Sequence, residues 1–470
     1  MSTPWLGDAC SLVEAFRAGE LTPSDAVETV IASAESDPYN AICHIDADGA
    51  RQAAAEADIT KPFGGVPFAV KELEMVEGWP YAYGTKLLEG MTGSHTMVHV
   101  ERIRDLGGAI PIVQTTSSEM GLVGYTSTIV HGTTTNPWDT TRTPGGSSGG
   151  TAAAVSGALV PIGTGTDGGG SIRGPAGYTG LVGFKTSFRR IPFAPMAQME
   201  PLTSTVGCLS RSVRDTARWL DVANGAHPRD PFSLPRLEGF EAGLGSHDLA
   251  GLRVAVLPDF GGAVVHPDVV RVVEDAAAEL IAAAGLKRVD IDLTLPDMGA
   301  AWVAPALPIM WAGAGPFWPD VREMVTTEVA AALDLAASYD IAMAAAIDPV
   351  RKQLNEAVAT LFEQADVVLA ATCPDDAFTA EGPSPSAVDG VEVDAFNTGR
   401  LTMAMNITGL PAISVPAGLS PRGLPIGMQI VGMRHADGLL LDLAALLEQV
   451  RPWPLVAPAA LDRLKAPTGT

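Results

Sequence analysis

Residues 163–177 read GTGTDGGGSIRGPAG, and no other stretch narrows what this chain can be as sharply. Seven of its fifteen residues are glycine, and they surround a single serine, Ser171, with Asp167 and Arg173 on either side. So much bare backbone beside one hydroxyl has four uses. Gly163, Gly165 and Gly168 satisfy G-x-G-x-x-G, the spacing that lets a backbone approach a dinucleotide. Clustered N–H groups can also cradle a phosphate. They can face an oxyanion that forms only during reaction, with Ser171 as the nucleophile. The plainest use is a tight turn.

Context removes two of these. A dinucleotide site needs a helix directly after the glycines, whereas Gly174, Pro175 and Gly177 predict an interrupted segment there. It also needs an acidic residue about 20 positions on to hold the ribose, and no Asp or Glu occurs from Gly168 to Gln198. A phosphate loop would continue into Gly-Lys-Ser/Thr, which is missing. A nucleophile, in turn, needs a base. None of the eight histidines lies beside a serine in a nucleophile-like turn. His95 and His99 have i, i+4 spacing, but HTMVH lacks the glutamate of the zinc-protease motif and reads as a surface pair at a helix start. Lys71 closes the apolar run GVPFAV. Buried, its charged form is disfavoured, which leaves an amine able to take a proton from a serine. The bland alternative is a lysine emerging at a strand end. PGGSSGG, 144–150, supplies a second serine cluster, Ser147 and Ser148, or else a flexible linker.

The rest of the chain sets the frame. Its 470 residues allow up to three average domains or one large α/β domain. With 47% hydrophobic and 18% charged residues, there is material for a sizeable core. A net charge of -24 without any basic run argues against nucleic acid and anionic membranes as partners. Four cysteines, far apart and without C-x-x-C, predict a reduced, cytoplasmic chain with neither disulfides nor a zinc site. The first residues show no signal peptide. The uncharged run 298–319 reaches membrane length, but Pro305, Pro308, Pro316 and Pro319 break it.

Periodicity places helices after Thr22-Pro23, with Ala26, Val27, Val30 and Ile31 on the apolar face, and over 48–58, 95–106, 151–159 and 269–284. Another lies in GLLLDLAALLEQ near the end. Buried strands are predicted at 64–70, 108–114, 253–257, 366–372 and 412–418, and a long glycine, serine and threonine region, which contains the helix at 151–159, runs to about 176. The alternation predicts an α/β fold, a central sheet covered by helices. Residues 228–250 are the best linker, though not a reason to divide the chain.

The stretch GGSSGGTAAAVSGALVPIGTGTDGGGSIRGPA, Gly145 to Ala176, resembles the amidase signature enzymes and fits their signature at each constrained position. Supporting matches are GVPFAVKE around Lys71, TTNPWDTTRTPGG before the serines, GLVGFKTSFRRIP after them, and GCLSRSVRDTA at 207–217. DVVLAATCPDD and NITGLPAISVPAGLSPRGLPIGMQIVG follow, so the likeness spans nearly the whole chain and thins between about 225 and 360. It implies one amidase signature domain over 1–470, with a mixed central β-sheet covered by helices on both faces. Its core would be about 60–220 and 365–450, and a variable, substrate-lining part about 225–360.

By the same resemblance, Lys71 would be the general base, Ser147 the bridging serine in a cis peptide, and Ser171 the nucleophile. The N–H groups of Gly168, Gly169, Gly170 and Ser171 would form the oxyanion hole, and Ser148, Asp167 and Arg173 would support the loop. No metal or cofactor is implied. The substrate would be a small-molecule amide, split through an acyl-enzyme, and a homodimer is allowed. Aryl acylamidases, urethanases and other carbamate hydrolases belong to the family. So does the rival reading, the glutaminase subunit of a tRNA-dependent amidotransferase. Glu72, Leu73, Thr116 and Tyr178-Thr179 depart from the usual pattern without touching the proposed triad.

Substrate preference is read from AAWVAPALPIMWAGAGPFWPD, 300–320. Trp302, Met310, Trp311, Phe317 and Trp318 concentrate apolar bulk in the part least like the family. They predict an apolar pocket wall for bulky, uncharged amides or carbamates, against the plain alternative of core packing.

Overall fold

The structure, a computed structural model, describes residues 4–195 and 202–465. Its centre is an eleven-stranded sheet. In chain order the strands are β1 (Ile42–Ile45), β2 (Pro67–Lys71), β3 (Ile110–Thr115), β4 (Gly163–Asp167), β5 (Val182–Lys185) and β6 (Thr205–Ser210). They continue as β7 (Arg253–Val256), β8 (Lys287–Val289), β9 (Val367–Ala371), β10 (Ala412–Leu419) and β11 (Pro425–Gly432). Across the sheet the order is β1-β3-β2-β4-β6-β5-β10-β11-β9-β7-β8. β2 runs parallel to β3 and β4, and β7 runs parallel to β8 and β9. The remaining neighbours are antiparallel, so the sheet is mixed.

β2, β5, β6, β9 and β11 are buried at every residue, which requires cover on both faces. Helix Arg173–Thr179 packs on β10 and β11, and so do helices Pro267–Ala284 and Asp437–Val450. The apolar runs 64–70 and 366–372 of the sequence are two of these doubly covered strands, β2 and β9. At the N-terminus, helix Pro23–Glu35 opens with the Thr22–Asp25 capping box and buries Ala26, Val27, Val30 and Ile31, as its periodicity predicts. Among the described residues no single helix is long and apolar enough to cross a membrane.

Two expectations are corrected. Gly163–Asp167 is a central strand, and a helix, Arg173–Thr179, does open right after the glycines. Its glycine serves close packing: a Cβ on Gly427 of β11 would lie 2.7 Å from the Gly177 backbone. His99 is not on the surface but fully buried, with Nε2 3.2 Å from Glu74. Residues 299–317 form no single long helix, as their prolines predict. They form four short helical pieces, and Pro305, Pro308 and Pro316 each sit in the first turn of a new piece. There each proline's missing N–H removes no intrahelical bond.

Candidate active site

Lys71 ends β2 fully buried, its backbone N–H donating to Thr164 Oγ1 at 2.9 Å. Its Nζ lies 2.8 Å from Ser147 Oγ, 2.9 Å from Ser148 Oγ and 2.8 Å from Thr166 Oγ1. Burial lowers this amine to about 7, with the carboxylates of Glu74, Asp167 and Glu72 pulling the other way. Desolvation dominates because the immediate partners are hydroxyls, not anions. An ammonium would donate to all three. A neutral amine has two N–H groups and one lone pair, so one hydroxyl must donate to it. Ser148 Oγ has the Thr166 carbonyl as its own acceptor at 3.4 Å. Ser147, which follows the cis peptide Gly146–Ser147, faces the cavity and is free to donate to Nζ.

The loop after β4 is fixed by one carboxylate. Asp167 accepts from the N–H groups of Gly170 at 2.8 Å, Ile172 at 3.2 Å and Arg173 at 3.3 Å. Its oxygens also meet Arg173 Nε and Nη2, each at 3.0 Å, and Asn406 Nδ2 at 2.9 Å. Burial alone would raise this carboxyl, but the Arg173 charge and its hydrogen bonds hold it well below the usual range. Arg173 spends its remaining donors on Gln429 Oε1 at 3.1 Å, the Thr402 carbonyl at 3.0 Å and Asn406 Oδ1 at 2.7 Å. A buried ion pair this completely bonded holds one geometry.

One proposed oxyanion donor is thereby withdrawn. The Gly170 N–H is committed to Asp167, which leaves Gly168, Gly169 and Ser171. Gly170 still has to be glycine, since its φ is +128° and a Cβ would lie 2.6 Å from Thr402 Oγ1. The carbonyls of the loop are held from the other side, Gly168 O by Trp302 Nε1 at 2.7 Å and Gly169 O by Thr402 Oγ1 at 2.5 Å. In a trans peptide the C=O and the next N–H point oppositely. Trp302 therefore aims the Gly169 N–H, and Thr402 aims the Gly170 N–H towards Asp167.

Ser147, Thr166, Gly168 and Ser171 line a cavity of about 590 Å³. Its apolar walls include Leu73, Met120, Trp302, Met310 and Phe317. Phe317 is 62% exposed, as a residue at the mouth would be. Trp311 and Trp318 lie outside the wall, contrary to the sequence expectation. Trp311 packs with Leu307, Ala332 and Ala336. Trp318 lies beneath the Arg322 guanidinium at 5.2 Å and donates to Asp334 at 3.2 Å. The structure thus brings Lys71, Ser147, Ser148, Asp167, Ser171 and Arg173 together, and adds Thr166, Thr402, Asn406 and Gln429. Of these, only Thr166 had a sequence signal: in TGTD it sits two residues from Thr164, on the same strand face.

Two groups of metal-type ligands also converge, Cys43–Glu72–His131 and Asp8–Cys10–Asp215. Protein donors already occupy their carboxylates. Glu72 accepts from Ser117 N at 2.6 Å, Gly84 N at 3.1 Å and His131 at 2.8 Å. Asp215 accepts from Ala9 and Cys10 N–H, each at 2.9 Å. The four cysteines are free.

Residues 25–441 match the model of the amidase family. The chain belongs to that family. Its members hydrolyse amide C–N bonds, and the mixed sheet with helices is their fold. This amidase is 30% identical to an acylamidase of Rhodococcus erythropolis, over 97% of each chain. It is equally, at 30%, identical to one of the subunits of the glutamyl-tRNA(Gln) amidotransferase of Deinococcus deserti, over 96% of this chain and 98% of that one. A bacterial aryl acylamidase superposes with a TM-score of 0.90 at 28% identity, covering 97% of this chain and 98% of the other.

Proposed function

We propose that this amidase cleaves bulky, apolar amides through an acyl-enzyme on Ser171. The observation that carries the reading is the Lys71 amine, buried among three hydroxyls at 2.8–2.9 Å beside a glycine loop whose N–H groups are aimed by fixed carbonyls. Ser171 Oγ attacks the carbonyl carbon, and its proton passes by way of Ser147 to neutral Lys71. The carbonyl electron pair moves to oxygen, where the N–H groups of Gly168, Gly169 and Ser171 receive it. Collapse breaks the C–N bond, and Lys71 returns the proton through Ser147 to the leaving nitrogen. Water then repeats the sequence on the acyl-enzyme and releases a carboxylic acid. Ser148 and Thr166 hold Nζ in place, and Asp167 with Arg173 sets the loop.

The apolar cavity favours aryl or long-chain amides, and carbamates of the same shape, over glutamine. Identity does not separate the acylamidase from the amidotransferase component, since both relatives stand at 30%. A cavity walled by Leu73, Met120, Trp302 and Met310 supports the acylamidase reading, because these apolar walls would solvate glutamine's charged ammonium and carboxylate poorly. The test is a panel of anilides, alkyl amides, aryl carbamates and glutamine assayed with the purified chain alone. Anilides and carbamates should be turned over, and Ser171→Ala should abolish this by roughly four orders of magnitude or more. Glutamine hydrolysis that appears only with an added partner would favour the amidotransferase reading.

A further inference from the structure

Arg189 carries three separate costs at one position. Its φ is +62°, in the left-handed region that side-chain-bearing residues avoid. It is 3% exposed. Its Nε and Nη1 are buried and have no hydrogen-bond partner among the described residues. Buried donors left unmade are expensive, whereas the buried guanidinium of Arg173 is hydrogen-bonded at Nε, Nη1 and Nη2. Arg189 is also a residue of the cavity wall that holds Ser171.

What surrounds the guanidinium tells which partner is missing. It lies over Phe188 at 4.7 Å and over Phe193, another wall residue, at 5.1 Å. Asp230, fully buried at the side chain, approaches Nε at 3.7 Å, too far for a hydrogen bond. The Asp230 carboxylate is turned towards other donors, accepting from Phe193 N at 2.8 Å and Phe232 N at 3.1 Å. The pair is therefore balanced in charge but not in hydrogen bonds. The guanidinium lacks an acceptor within reach, not a negative charge.

We infer that Arg189 is a substrate-reading residue: it takes a neutral acceptor, a second carbonyl set apart from the scissile one, on an otherwise apolar substrate. A carboxylate would add an unbalanced charge beside Asp230, and a hydrocarbon would leave the N–H groups orphaned. Diamides, bis-carbamates and ketone-bearing anilides are the substrate class that follows. This inference rests on the amidase reading of the same cavity.

The test compares three anilides of matched size, 5-oxohexananilide, 5-methylhexananilide and glutaric acid monoanilide, and a second series with the same three groups insulated from the leaving amine by a methylene chain. In at least one series the wild type should prefer the ketone over the hydrocarbon by about tenfold in kcat/KM, and over the carboxylate as well. Arg189→Met keeps the side chain's length and the backbone bond to Leu234, and should erase the ketone preference. Equal rates for ketone and hydrocarbon in both series, or a preference that survives in Arg189→Met, would overturn the inference while leaving the amidase reading intact. Preference for the carboxylate would overturn the claim of a charge-balanced pair. Failure to turn over any anilide would bring down the amidase reading itself, and this inference with it.

Discussion

The segment 163–179 and the segment 299–318 meet across one cavity, yet they are built on opposite principles. In the first, almost every polar atom has a named partner. Asp167 alone gathers three backbone N–H groups, an arginine and an asparagine. In the second, short helical pieces restarted by prolines offer apolar side chains to whatever lies opposite, and Ile309 and Phe317 remain partly in solvent. Directional bonds tolerate few alternatives, while apolar contact of about the right volume tolerates many. The first segment should therefore be brittle and set the chemistry, and the second pliable and set the substrate. Trp302 is the exception that joins them: an apolar wall residue whose indole N–H holds a carbonyl of the catalytic loop.

The largest effect that would sharpen this contrast is Asp167→Asn. It leaves Arg173 buried without its counter-charge, a loss of about 3–5 kcal/mol in comparable buried pairs. We expect a large drop in unfolding midpoint together with near-complete loss of turnover. A variant as stable and active as the wild type would break the claim that the loop is held by this one carboxylate.

Next comes a split between two wall residues. Trp302→Phe keeps the ring but loses the bond to Gly168 O, and should lower kcat about tenfold with KM for an anilide little changed. Phe317→Ala should instead raise KM several-fold with kcat little changed. Identical behaviour of the two would mean that Trp302 is only wall. Trp311→Ala and Trp318→Ala should alter thermal stability and leave the anilide-to-acetamide KM ratio untouched, because neither residue reaches the cavity.

The contrast also explains what could be read in the sequence. Lys71, Ser147 and Ser171 could be singled out as site candidates because a buried amine, two serines and bare backbone are each unusual, and because their pattern resembles a known family. The supporting place of Asp167 and Arg173 came with the same resemblance. The partners that complete the site did not. Thr402, Asn406 and Gln429 arrive from more than 200 positions away, on ordinary helix and strand segments, so no local pattern marks them. The oxyanion donors were over-counted because a glycine's N–H gives no sign of whether a neighbouring carboxylate has already taken it. His99 was misplaced on the surface because its partner, Glu74, lies on a different segment. In the pliable segment five aromatic and methionine positions looked alike. Whether a tryptophan faces a cavity or a neighbouring helix depends on where each proline restarts the chain.

The smallest expected effect concerns protons. As the base proposed here, Lys71 acts only when neutral, and its amine is lowered to about 7, so kcat/KM should rise with pH through about 7 and level off above it. Glu74 is the foremost of the charges that favour the protonated amine. Glu74→Gln should therefore shift the acid limb to lower pH, and an unmoved or upward-shifted limb would contradict that assignment.

The most direct test of the central claim is intact-protein and peptide mass spectrometry of the enzyme quenched during turnover of a slowly deacylated aryl carbamate. The account expects one carbamoyl group per chain, on Ser171, forming at a rate that falls below pH 7 and lost in Lys71→Ala. A group found on Ser147, or steady turnover of the carbamate with Ser171 replaced by alanine, would contradict it.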